Sequence, residues 1–160
     1  MRLRIPSDVI NRWRKEVSRA GAREIGGILF GEQLAEGDFR VVEARQQRFG
    51  GGTCTRFHRR GAGARKQVLA LHKQFGDDPE RFNYLGEWHT HPNAPVWPSL
   101  QDEVTMYQLL ADQGEAVNFL VLVILKVDEE EGLQIGAMTF LSSGHRIRCE
   151  IEIENDQPDS

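Results

Sequence analysis

Apolar and charged residues alternate over residues 2–5, Arg-Leu-Arg-Ile. That period of two predicts a short edge strand, closed by Pro6. From Ser7 the spacing changes. Ile10, Trp13 and Val17 recur at i, i+3 and i+7, so residues 7–20 are predicted as a helix that Ser7 caps and Gly21 ends. Residues 25–30 are apolar or glycine without alternation, as in a strand buried on both faces. A second strand over 39–44 would follow a turn at 31–38. Residues 50–63 read as loop. Val68, Leu71, His72 and Phe75 form one helical stripe within 64–75. A strand is expected over 82–91. Residues 92–98 hold three prolines and cannot be regular. A helix over 99–113 would turn Leu100, Val104, Tyr107 and Leu110 to the core. Residues 117–127 then read as a central strand and 133–141 as its partner, joined by the acidic turn 128–132. Residues 145–153 alternate Ile147, Cys149, Ile151 and Ile153 with charged side chains, which predicts one half-exposed last strand.

Helices interrupt groups of strands, and no internal repeat is present. This order predicts an α+β or three-layer α-β-α fold around a mostly antiparallel mixed sheet. The chain of 160 residues suits a single domain over 1–154, with 155–160 as a frayed polar tail. A chain of this size buries about two-thirds of its unfolded surface, so it needs no disulfide staples. Its 39% hydrophobic and 28% charged content is that of a soluble globular protein. The longest apolar run, 117–125, is broken by Asn118 and stopped by Lys126, well short of the roughly 18 residues of a membrane span. No signal peptide is legible in residues 1–15. Cys54 and Cys149 are too few and too distant for a disulfide framework, so the cytoplasm is the expected compartment.

The net charge of −4 conceals an asymmetry. Residues 1–75 carry 16 Lys and Arg against 7 Asp and Glu, whereas 76–160 carry 4 against 17. Two halves so charged can neutralise one another by packing together. Alternatively, the basic segment 45–66, with Arg45, Arg48, Arg56, Arg59, Arg60, Arg65 and Lys66 around three glycines, can steer an anionic partner. Its only interleaved aromatics are Phe49 and Phe57, so a nucleic-acid groove is not expected.

The chemistry is concentrated in Gly86-Glu87-Trp88-His89-Thr90-His91-Pro92, followed by Ser99 and Asp102. Residues two apart on a strand project from one face, so His89 and His91 can reach one metal ion. A third ligand must come from elsewhere, since a catalytic zinc site takes three protein groups and one water. Asp102, at the start of a helix after a proline-stiffened loop, is the candidate. Ser99 and Asp102 also read as a helix N-cap pair, a role compatible with ligation. Metal-assisted hydrolysis needs a general base, and Glu24, Glu87 and Glu103 are all possible. Glu87 shares the histidine face, and Glu24 immediately precedes the apolar strand at 25–30. Spacing does not choose among them. His58, His72 and His145 read as ordinary polar residues.

His89-Thr90-His91, seven residues, Ser99, two residues and Asp102 resembles the JAMM motif of the JAB/MPN metalloproteases. Residues 24–31, Glu-Ile-Gly-Gly-Ile-Leu-Phe-Gly, resemble that family's upstream acidic segment. The resemblance implies the cytidine-deaminase-like JAB/MPN fold, one Zn2+ held by His89, His91 and Asp102, Glu24 as the general base, and Ser99 as an oxyanion donor. It implies hydrolysis of an isopeptide between the C-terminal carbonyl of one protein and a lysine of another. The short chain looks most like the stand-alone bacterial peptidases, with the deconjugating peptidase of CBASS antiphage operons the nearest. Substrates would then be proteins carrying a conjugated CD-NTase or ubiquitin-like tail, and an E1/E2-like conjugating enzyme would share the pathway. Trp97 in the proline loop can wall the cleft. Other readings with the same motif are a RadC-like DNA-associated protein, a sulfur-carrier processing enzyme and a non-catalytic MPN scaffold.

Overall fold

The structure is a computed structural model that describes residues 1–47 and 61–155. Eleven named elements run in the order β1 (Arg2–Pro6), α1 (Ser7–Ala20), β2 (Gly26–Ala35), β3 (Asp38–Glu43), α2 (Gly61–Gln74), β4 (Phe82–Thr90), α3 (Leu100–Asp112), β5 (Phe119–Asp128), β6 (Gly132–Leu141), β7 (Arg146–Arg148) and β8 (Glu150–Glu154). The strands form one mixed sheet in the order β7-β6-β5-β4-β2-β3-β1-β8. β4 pairs with β5 in parallel and with β2 antiparallel.

β5 shows why the sheet lies between helices. Its alternate residues Val121, Val123 and Leu125 enter a cluster with Val9, Ile10, Trp13 and Val17 of α1. The intervening Leu120, Leu122 and Ile124 pack with Met106 and Leu110 of α3 on the other face. Leu71 of α2 covers Ile28 and Phe30 on that second face. A continuous apolar run is what a strand covered on both sides requires. The three-layer α-β-α architecture follows from this partition. α1 ends at Gly21, whose backbone adopts φ 59 and donates to the Val17 carbonyl, a conformation that glycine takes without a Cβ clash.

Several sequence expectations need correction. β1 is an interior strand, flanked in parallel by β3 and β8, rather than an edge. Ser7 is the first helical residue, not a cap, and its hydroxyl makes no cap bond. The segment expected as a turn at 31–38 is strand through Ala35, because Glu32 is buried against Arg81 and Arg40 instead of facing solvent. α2 begins at Gly61, inside the expected loop, and the rest of that loop lies outside the described residues. On α3, Leu100 and Val104 are exposed, and the buried stripe is Thr105, Met106 and Leu110.

The largest difference is at the C-terminal end. The expected single strand over 145–153 is two strands on opposite edges of the sheet. β7 pairs with β6 and β8 pairs with β1, yet only Cys149 separates them. Two edges can be one residue apart only if the sheet is rolled until they meet. Hydrogen bonds at the junction record this, from Cys149 N–H to the Ala137 carbonyl and from Glu150 N–H to the Met1 carbonyl. The roll also places Glu152 and Glu154 against Arg4 and Arg40, with separations of 2.8–3.0 Å. The acidic and basic halves of the chain therefore do neutralise one another here. Of the basic segment, Arg45 pairs with Glu43; Arg48, Arg56, Arg59 and Arg60 lie outside the described residues, as do Cys54 and 156–160. No described helix is long and apolar enough to cross a membrane.

Trp13 is fully buried, with its ring centroid 5.6 Å from that of Trp88 on β4. Trp13→Ala is expected to lower unfolding stability by about 3–5 kcal/mol, read from urea titration by fluorescence and circular dichroism.

Candidate metal centre

Alternation along β4 sends Glu87 and His89 to the face shared with α2 and α3, and sends Trp88 and Thr90 to the α1 face. His91 is one residue past the end of β4, but its N–H still bonds the Leu125 carbonyl at 2.9 Å, which keeps the backbone extended. Its imidazole therefore stays beside that of His89. The two Nε2 atoms face each other at 3.1 Å.

The proline loop then turns back toward β4 and sets down α3. Ser99 caps that helix by accepting from Asp102 N–H at 3.1 Å, and the Asp102 carboxylate accepts from Ser99 N–H at 2.7 Å. This capping box fixes Asp102 at a helix N-terminus, where the macrodipole favours an anion. From there Asp102 Oδ1 lies 3.3 Å from His89 Nε2, and Oδ2 lies 3.2 Å from His91 Nε2. Ligand atoms of the three residues all fall within 4.8 Å of one another. Donors about 2.0–2.1 Å from a common tetrahedral ion stand roughly 3.3 Å apart. The imidazole nitrogens stand 3.1 Å apart and each has one of the two Asp102 oxygens at 3.2–3.3 Å, near that spacing, so the donor types and their proximity fit such an ion.

The electrostatics agree. Burial alone would raise the Asp102 pKa, but hydrogen bonding to His89 and His91, with that from Ser99, holds it far below the usual carboxylate range. The hydrogen bond to Asp102 raises His91, against the effect of burial. The Pro95 carbonyl accepts from His91 Nδ1–H at 2.9 Å, so Nε2 is the nitrogen that donates to Asp102 when the ring is protonated and the one open to an ion when it is neutral.

The three acidic candidates occupy different settings. Glu103 is engaged by Arg146 of β7. Glu87 is buried beneath His89, and desolvation pushes its carboxyl up to about 8, against a hydrogen bond from the Tyr84 hydroxyl. Glu24 is solvent-exposed at the end of the α1–β2 connection, and its charge contributes to raising His91. Ser99 Oγ donates its proton to Asp102 Oδ2 at 2.7 Å. Trp97 is partly exposed beside a narrow crevice over Leu122, Ile124 and Met138, with the Arg148 guanidinium 5.8 Å from its ring centroid. His72 stacks edge-on against Phe30, in a packing role.

Sequence reasoning missed two residues that hold this arrangement. Thr90 bonds the chain beside Glu24, and Gly136 on β6 lets the proline loop lie against the sheet. Thr90 sits inside the histidine motif, but its hydrogen-bonding partner is 65 residues away. Gly136 sits in an otherwise bulky strand, a pattern that signals close backbone approach.

A model of the family described as prokaryotic homologs of the JAB domain matches residues 6–139. Among solved structures, the solution structure of a protein from Desulfitobacterium hafniense is similar with a TM-score of 0.62 at 16% identity, covering 96% of this chain and 94% of that one. A protein from Salinibacter ruber has a TM-score of 0.53 at 19% identity, with coverages of 100% and 95%. At these identities the likeness is one of fold. No curated protein sequence matches.

The loop that orients His91 depends on the bare Cα of Gly136. A Cβ there would stand 1.9 Å from the Val96 carbonyl oxygen, a backbone atom that cannot swing aside. Gly136→Ala is therefore expected to shift Pro95 and weaken metal affinity by about 10- to 100-fold, in the manner of lost outer-shell support. Competition with a chromogenic chelator measures this, with far-ultraviolet circular dichroism confirming an intact fold.

Proposed function

Because the chain belongs to the family of prokaryotic homologs of the JAB domain, we propose that it is a zinc-dependent isopeptidase. Its substrate would be a protein bearing a C-terminal conjugate, ubiquitin-like or derived from a CD-NTase, in bacterial antiphage signalling of the CBASS type. The convergence of His89, His91 and Asp102, from two elements, at the spacing of a shared ion carries this reading. The Gly-Glu-Trp-His-Thr-His-Pro string supports the choice of deconjugating peptidase. The buried free thiol of Cys149 is compatible with a reducing cytoplasm as the site of action.

His89, His91 and Asp102 would hold the zinc, which when bound polarises a scissile carbonyl and acidifies a water. Glu24 accepts the proton of the attacking water and delivers it to the departing lysine amine. An exposed carboxylate whose charge reaches His91 suits that task. Glu87 suits it less, since a carboxyl raised to about 8 is already protonated near neutrality. His91 is held in the ligating tautomer by Pro95, and Asp102 is held by its capping box. Ser99 can donate to the developing oxyanion only by turning its proton away from Asp102 Oδ2, while its backbone N–H keeps that oxygen in place.

A second reading, a non-catalytic scaffold, draws on the same capping box, which accounts for Ser99 and Asp102 without an ion. Metal content separates the two. Purified wild-type chain is expected to carry about one zinc, by analogy with single-ion catalytic sites, and to cleave a lysine-linked conjugate until chelator is added. Glu24→Gln should retain the metal and lose turnover by at least about 100-fold, the lower end of the usual range for a lost general base. His89→Ala should lose both metal and turnover. A wild-type chain that neither takes up zinc nor cleaves any conjugate rejects the hydrolase.

A further inference from the structure

Thr90 stands between the two histidines but points to the opposite face of β4, and it is 1% exposed. Its backbone N–H donates to the Ile25 carbonyl at 2.9 Å. Its Oγ1 accepts from the Ile25 N–H at 3.0 Å and has the Ile25 carbonyl 3.5 Å away for its own proton. In a regular antiparallel ladder, two residues joined in this way exchange both bonds through their backbones. Here a side-chain hydroxyl takes the place of the Thr90 carbonyl. β2 pairs regularly with β4 only from Gly26 onward, and Ile25 is held by a clasp instead.

Glu24 is the residue immediately outside that clasp. On its other side the next backbone anchor is the bond from Arg23 N–H to the Ala20 carbonyl at 3.1 Å. Packing of the Ile25 side chain into the core sets where that residue lies. The Thr90 hydroxyl sets how its peptide is turned, and therefore the direction in which Glu24 leaves the sheet. The hydroxyl also satisfies the buried Ile25 N–H, a backbone donor that valine would leave unpaired.

We infer that Thr90 is a positioning residue that aims the Glu24 carboxylate at the metal centre through the Ile25 peptide. The inference rests on the hydrolase reading of Glu24 given above. The same short motif would then do two jobs from its two faces, with His89 and His91 holding the ion and Thr90 placing the base.

The test compares zinc-loaded full-length wild type with Thr90→Val and Thr90→Ser, using a lysine-linked conjugate, metal analysis and amide hydrogen exchange. Thr90→Val should keep its zinc and its KM while kcat falls about 10- to 100-fold, the scale of an ångström-sized misplacement. Thr90→Ser should bring kcat back to within about threefold of wild type. The Ile25 amide should exchange faster in Thr90→Val and not in Thr90→Ser, with the neighbouring ladder amides unchanged. A Thr90→Val enzyme with wild-type kcat, unchanged Ile25 protection, or a kcat loss that tracks metal loss and is not restored by serine overturns the inference. A wild-type chain that holds zinc but cleaves no conjugate removes Glu24's role and the positioning with it. Glu24→Gln inactive beside an unimpaired Thr90→Val leaves the hydrolase standing and removes only the positioning.

Discussion

Asp102 faces two imidazole nitrogens at 3.2 and 3.3 Å, and the surrounding structure serves to keep that carboxylate there. It is drawn from a different element than the histidines, so it needs its own restraints. Ser99 supplies them through backbone and hydroxyl, and the start of α3 supplies a favourable dipole. A negative charge brought out of water beside other polar groups is costly unless every lone pair is used. Here the oxygens are used, and the result is a carboxylate that stays ionised and correctly aimed. Those interactions also form a complete structural unit by themselves, so the helix cap leaves Asp102 able to serve as a metal ligand.

The central sheet converts this local arrangement into a site. β4 is the middle of the molecule, bonded to β2 on one side and β5 on the other. Its two faces carry different duties. Glu87 and His89 point toward α2 and α3, whereas Trp88 and Thr90 point toward α1. The α1 face anchors Trp88 against Trp13 and ties Thr90 to Ile25, so the strand cannot shift without breaking the core. A rigid strand is what precise metal geometry demands. At the far edges, the roll of the sheet sets the acidic β8 against Arg4 of β1 and Arg40 of β3. The steep charge asymmetry along the chain is thereby spent within the fold, at least for Arg4, Arg40, Glu152 and Glu154.

Much of this was readable from the residues, and the failures have identifiable causes. The run Leu120 to Leu125 read as a central strand because covering both faces demands continuous apolarity. Ser99 and Asp102 read as a cap because that signature is local. Leu100 and Val104 misled, since their helical spacing is genuine but the helix turns a different stripe, Met106 and Leu110, to the sheet. Residues 145–153 misled in another way. Their alternation is that of a strand, but a period of two does not say which neighbour the strand joins, and the chain changes partner at Cys149. Glu32 read as part of the turn joining two strands, and it is buried in β2 because Arg40 of the neighbouring strand and Arg81, 49 residues away, both reach it.

What the chain determined unaided is whatever depends on neighbours within a few residues: the apolar rhythm of each element, the paired histidines on one side of a strand, the helix cap, and through these the family resemblance. Three matters were left to the tertiary structure. One is the setting of Glu24 and Glu87, the first exposed and the second desolvated. Another is the bond between Thr90 and Ile25 across 65 residues. The third is the bare Cα of Gly136 beneath Val96. The physical reason is common to all three. Hydrogen-bond partnership, solvent exclusion and steric clearance are properties of atoms adjacent in space, and sequence spacing records adjacency only along the chain.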